Sequence, residues 1–173
     1  MKISIAEISV PRTGAVAVAV LADKSMSATA KALDKKTNGA LTKAMGNGRF
    51  TGAKGQILGI NAPAGVSASR IVLFGLGKDK DITALALQAA GGRLVSQMNT
   101  AGEKQLSVVV DGVRGKLGKI DAADAAAEIA FGGRLGGYRF DKYRTTEKAE
   151  KKPTLKSLTV AVKGAAAGKK AWA

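Results

Sequence analysis

The sequence contains no cysteine and no histidine. Without cysteine there is no disulfide and no thiolate metal site, which fits a cytoplasmic setting. Without histidine there is no Ser-His-Asp or Cys-His nucleophile pair, no imidazole-held zinc and no imidazole general base. Acidic residues are few as well, 13 against 28 Lys and Arg. They are scattered along the chain, whereas a carboxylate metal site needs several of them to converge. Aromatic residues are 4% of the total. Ala, Gly and Val fill in, and a core of small side chains suits close packing of helix on sheet. Long apolar runs are also missing. Ala15 to Ala22 (AVAVAVLA) is too short to cross a bilayer, and it follows Glu7, Pro11 and Arg12. It reads as a buried strand, not a signal or membrane segment, and no membrane partner is expected.

What is present describes one globular domain. A chain of 173 residues with 46% apolar and 24% charged residues holds one real core and is short for two. The net charge of +15 invites a nucleic-acid reading, because phosphate backbones attract Lys and Arg. The positive residues are spread along the whole chain, among them Lys31, Lys78, Lys116 and Lys152, with no arginine-rich arm. A solvated lysine surface explains the charge equally well.

Hydrophobic periodicity gives the order β β α β β α β α β. Lys2 to Ile8 alternates as a strand, and Ala15 to Leu21 is apolar on both faces, as a central strand is. Ser25 or Ser27 can cap a following helix, which Asn38-Gly39 breaks in two. Gly46 to Gly55 is a glycine-rich loop containing Phe50. Gln56 to Ile60 and Arg70 to Phe74 are short strands around a Pro63-Ala64-Gly65 turn. Asp81 can cap a long helix to about Thr100, and Asp121 opens another. Leu106 to Val110 and Leu155 to Val162 are the last strands. Residues 164–173 are a small-residue and Lys stretch. Helices alternating with buried strands predict a three-layer α/β/α domain with about six strands. The first two strands and the middle pair are expected to be adjacent and antiparallel, which makes the sheet mixed.

Candidate chemical sites are few. Gly75-Leu76-Gly77-Lys78 lies where a phosphate loop would sit, but position 80 is Lys and Asp79 follows Lys78, so neither phosphate-binding glycine pattern is complete. A tight turn is the plainer reading. Asn61-Ala62-Pro63 resembles a segment of macro domains, which bind ADP-ribose; a turn explains it as well. Asp79 with Asp81 and Asp121 with Asp124 are the carboxylate pairs, and helix capping suits them better than acid–base work. No catalytic, cofactor-binding or metal-binding residue is assigned.

The densest anomaly is Gly132 to Thr146, GGRLGGYRFDKYRTT. Four glycines in a helix cost on the order of 1 kcal/mol each relative to Ala, so a backbone must pack close by. Both tyrosines of the chain follow at once. That run is either an anchor at the helix end or a grip on a neighbouring domain. The tetrapeptide GGRL also occurs at Gly91 to Leu94, which reads as chance plus a shared need for small helix faces.

Tyr138-Arg139-Phe140-Asp141-Lys142-Tyr143 resembles the YRFDKY run of leucyl (cytosol) aminopeptidases of the M17 family. Val72 to Lys78 is similar to that family's strand followed by GLGK, and Phe50-Thr51-Gly52 also fits. The resemblance runs from about Ile3 to the end. It implies a macro-domain-like N-terminal domain over 1–163, with 164–173 beginning the connection to a C-terminal catalytic domain. The parent it implies is a cytoplasmic, usually hexameric enzyme that removes N-terminal residues from peptides with two zinc or manganese ions. In the family the metal ligands and catalytic residues lie in the C-terminal domain around NTDAEGR, which is absent here. The implied role of this chain is therefore non-catalytic: packing on the catalytic domain and shaping the hexamer. DNA binding, known in some bacterial members, and ADP-ribose binding are the alternatives. Tyr138 to Tyr143 is expected to be ordered and packed within the domain.

Overall fold

A computed structural model describes residues 1–112, 117–138 and 152–172 of the chain. Among the described residues six strands, β1 (Lys2–Ala6), β2 (Ala15–Leu21), β3 (Ile57–Asn61), β4 (Arg70–Gly77), β5 (Gln105–Val110) and β6 (Ser157–Val162), form one sheet in the order β1-β6-β5-β2-β4-β3. The helices are α1 (Ala28–Lys36), α2 (Ala40–Asn47), α3 (Ala84–Thr100), α4 (Ala122–Gly136) and α5 (Ala165–Trp172). All pairings are parallel except that of β3 with β4. The mixed α/β sheet matches expectation, and so does the antiparallel middle pair. The first two strands do not pair with each other. β1 pairs with β6, and β6 and β5 both lie between it and β2.

The alternation of β2 builds the three layers. Ala15, Ala17, Ala19 and Leu21 belong to one apolar cluster, which holds the inward faces of α3, α4 and part of α5. Val16, Val18 and Val20 point the other way, into a cluster with Leu33 of α1, Leu41 and Met45 of α2, and Phe50. Successive side chains of a strand face opposite sides, so a strand apolar at every position must be covered on both.

Local signals set several boundaries as read. Ser27 caps α1, its hydroxyl accepting from the Ala30 N–H at 3.3 Å. Asn38 and Gly39 take φ of 52° and 79°, the left-handed region that ends a helix and favours Gly. Asp121 caps α4, accepting from the N–H groups of Ala123 at 2.9 Å and Asp124 at 3.0 Å. Two boundaries differ. Thr83 caps α3, not Asp81, which lies in a 3₁₀ turn over Asp79–Asp81. The small-residue end of the chain forms α5, on which Gly168 lies close against Ile5 and Val162.

The glycine helix has its partner inside this chain. A Cβ on Gly132 would stand 1.9 Å from the Gln88 carbonyl oxygen, and one on Gly91 would stand 2.1 Å from that of Ile129. A Cβ on Gly136 would stand 2.6 Å from the Gly92 Cα. The two GGRL copies therefore lie on the facing sides of α3 and α4, where each lets the other backbone approach. The repeat is a packing device, not a coincidence of composition.

Candidate functional site

In open α/β sheets, ligands bind beyond the carboxyl ends of the strands, where successive connections leave for opposite faces. Here that place lies between β2, which leads to α1 on one face, and β5, which leads to α4 on the other. A cleft of about 930 Å³ opens there. Its walls include Ile8 after β1, Val110 and Asp111 at the end of β5, Ile120 before α4, and Lys119 and Lys163.

The carboxylates at this rim each accept from backbone N–H groups at a helix start. Asp111 Oδ2 accepts from the Thr29 N–H in the first turn of α1. Glu7 accepts from the N–H groups of Gly164 at 3.2 Å and Ala165 at 2.7 Å, at the start of α5. Asp121 does the same for α4. Elsewhere Asp34 caps α2, accepting from the N–H groups of Leu41 at 2.8 Å and Thr42 at 3.0 Å. A helix N-terminus exposes unpaired donors with partial positive charge, and a carboxylate satisfies both needs. The helix starts at the rim are thus closed by the protein's own anions. Asp111 Oδ1 is buried without a hydrogen-bond partner among the described residues. Among those residues no three acidic, His or Cys side chains gather to hold a metal ion.

The other sequence candidates lie apart. Gly75 and Gly77 are in β4, not in a turn after it. A Cβ on Gly75 would stand 2.1 Å from the Ala53 carbonyl oxygen. The Gly77 N–H donates to Gly52 O at 3.0 Å, and the Gly75 N–H to Gln56 O at 2.8 Å. These glycines bed the 52–56 loop onto the sheet, so the close backbone approach serves the protein itself, not a phosphate. Asn61 pairs with Arg70, the first residue of β4, and so lies at the end of the sheet opposite the cleft. Asp79 Oδ1 accepts from the Gly118 N–H at 3.1 Å and pins the loop beside the cleft. Sequence reasoning missed Glu7, Asp34 and Asp111 as caps, because their partners stand 157, 7 and 82 residues away.

Of the aromatic run, only Tyr138 belongs to the described residues, and it is 76% exposed instead of packed. Arg139 to Tyr143 lie outside them. Among the described residues no helix is long and apolar enough to cross a membrane.

Comparison with known proteins follows the same outline. The model of the cytosol aminopeptidase family, N-terminal domain, matches residues 17–147. A probable cytosol aminopeptidase of Caulobacter vibrioides is 40% identical over 174 residues, covering 99% of this chain and 34% of that protein. One from Gluconobacter oxydans is 36% identical over 160 residues, covering 91% and 30%. In fold, a tomato leucine aminopeptidase mutant superposes with a TM-score of 0.78 at 21% identity, over 99% of this chain and 34% of that one. The macrodomain of Mycobacterium tuberculosis DarG superposes with a TM-score of 0.61 at 14% identity, over 91% of this chain and 97% of that one. The chain thus spans about a third of the length of the aminopeptidases it matches, and nearly all of a macrodomain.

Proposed function

The chain belongs to the cytosol aminopeptidase family, as its N-terminal domain, and from that membership we propose that it serves as the non-catalytic part of a metal-dependent aminopeptidase. The parent enzyme is cytoplasmic and releases N-terminal residues from peptides. This domain, 1–163 with 164–173 leading onward, packs on a C-terminal catalytic domain and shapes a homo-hexamer. The observation that carries the reading is the match over 99% of this chain to only 34% of the Caulobacter relative. The remaining two thirds of such a protein hold the catalytic machinery.

The donor set supports that division. Two zinc or manganese ions do not fit the described residues here. Glu7, Asp34, Asp79, Asp111 and Asp121 each bind backbone N–H groups of a helix start or loop. Glu7 and Asp34 use both carboxylate oxygens as acceptors, so drawing either onto a metal would leave donors unpaired, at a cost of about 1 kcal/mol or more each. Asp111 Oδ1, which has no partner, has no cluster of further acidic side chains around it among the described residues. No step of peptide hydrolysis is therefore assigned to this chain. Incubated with a leucine anilide and added Mn²⁺ or Zn²⁺, the 173-residue chain shows no turnover above blank. Measurable, metal-dependent release of the chromophore would overturn this.

A second reading rests on the other face. Lys31, Lys35 and Lys36 of α1 and Lys43 of α2 are all exposed. In a chain of net charge +15 they form a surface suited to DNA phosphates. If they bind duplex, log K in a gel-shift titration falls linearly with log salt, by about 0.9 per phosphate engaged. Binding that ignores salt would count against it.

A further inference from the structure

Large apolar side chains are exposed unevenly over this molecule. On α4, Phe131 is 44%, Leu135 57% and, just beyond the helix, Tyr138 76% exposed. Steps of four and three residues place them on one stripe. Leu85 on the adjoining α3 is 71% exposed. The glycine contacts bring α3 and α4 close enough to form one continuous surface. Among the described residues, these two helices are also poor in positive charge. α3 and α4 carry one basic residue each, Arg93 and Arg134, in a chain with 28. The helices on the opposite face show solvent their lysines and bury their Leu and Met. Aromatic and aliphatic groups on a surface depleted of Lys and acid are the composition of an interface core.

The position of the last helix says which partner reaches it. Ala171 and Trp172, at the end of α5, line a hollow together with Phe131 and Arg134. The last described turn of α5 therefore lies beside the stripe. In the relatives the matched third is followed by a portion about twice its size. A partner tethered at that point has a high effective concentration, so a modest apolar patch suffices to dock it.

We propose that the stripe Phe131–Leu135–Tyr138, together with Leu85 on the adjoining α3, is the docking surface for the C-terminal portion of the full-length aminopeptidase. This rests on the N-terminal-domain reading above. Gln88 and Glu128, hydrogen-bonded to each other at 2.6 Å, and Arg134 supply a polar margin to it.

The test compares the 173-residue chain with a chimera in which it replaces the matching third of the Caulobacter relative. Carbene footprinting, read by mass spectrometry, reports side-chain access. Labelling of Phe131, Leu135 and Tyr138 is expected to fall about five-fold or more in the chimera, as for residues entering an interface core. Labelling of α1 stays unchanged. Equal labelling of the stripe in both proteins would overturn the proposal. A fall in the free chain that grows with its concentration would also overturn it, since the occupant would then be a second copy. Leu135→Glu provides a further check. It leaves the melting temperature of the free chain unchanged and restores labelling of Tyr138 in the chimera. Metal-dependent turnover of leucine anilide by the chimera reports separately on the parent reading. An active chimera with a labelled stripe defeats the docking alone, and an inactive one with a protected stripe defeats the parent activity alone.

Discussion

Replacing Gly132 by Ala lowers the melting temperature of this chain by about 4–8 °C, whereas the same substitution at Gly46 raises it slightly. Both positions are helical, so intrinsic propensity favours Ala at each by up to about 1 kcal/mol. The surroundings decide the sign. A Cβ on Gly46 would meet nothing within 4 Å. A Cβ on Gly132 would stand 1.9 Å from the carbonyl oxygen of Gln88 and 2.5 Å from its carbon. These are backbone atoms, so relief requires α3 and α4 to part. Parting them opens Gly91 against Ile129 and Gly92 against Gly136, contacts made by the same approach. Overpacking of this kind costs about 3 kcal/mol, which leaves a net loss of roughly 2 kcal/mol after the propensity gain. Thermal unfolding followed by far-UV circular dichroism measures both variants. Stabilisation by Ala at Gly132 comparable to that at Gly46 would mean the two helices do not touch there.

The need for a close neighbour was legible in the sequence, because glycines inside a helix are costly; three of the four fall within α4 and Gly137 caps its end. The identity of the neighbour was not. It required knowing that α3 and α4 lie side by side, which follows from strand order. Strand order itself is nearly silent in the sequence. β1 and β2 are separated by only a short segment, Glu7–Gly14, yet β6 and β5 lie between them. What placed β1 is its pairing with β6, from Lys2 opposite Ser157 to Ala6 opposite Ala161. A one-residue slip in such a pair would turn every side chain to the wrong face, so burial specifies the register, and burial is a property of the whole fold.

Caps divide in the same way. Ser27, Thr83 and Asp121 sit next to the helices they cap, and propensity can find such residues. Asp111 and Glu7 cap helices remote in sequence. α5 was missed for that reason: no Ser, Thr, Asp or Asn precedes Ala165, and its anchoring carboxylate comes from the start of the chain. The scarcity of acid thus acquires a structural meaning. Among the described residues, several of the few acidic side chains hold the ends of helices. The family was legible through short motifs. Their physical roles were not, since the glycines of Gly75-Leu76-Gly77 proved to accommodate a loop of the protein.

Leu94→Ala unfolds the free chain on the order of 10 °C earlier, while Leu135→Ala leaves it nearly unchanged, although both leucines end the same tetrapeptide. The contrast follows from geometry. α3 and α4 both connect parallel strands, so they run in the same direction, and each turns its GGRL glycines toward the other. Two like helices facing across a contact are related by half a turn about an axis parallel to both. A residue at a fixed angle from the contact then falls on the sheet side of one helix and the outer side of the other. Leu94 is accordingly 0% exposed, in the cluster between α3 and the sheet. Leu135 is 57% exposed on the stripe. Truncating the first leaves a cavity worth about 2–5 kcal/mol, and truncating the second changes the surface by about 0.5 kcal/mol or less. Urea titration of the two variants separates these values. In the chimera the difference narrows, because Leu135 then enters an interface and its truncation acquires a cost of its own. A large loss for Leu135→Ala already in the free chain would place the stripe in this domain's own core. Leu135 would then not be available to a partner.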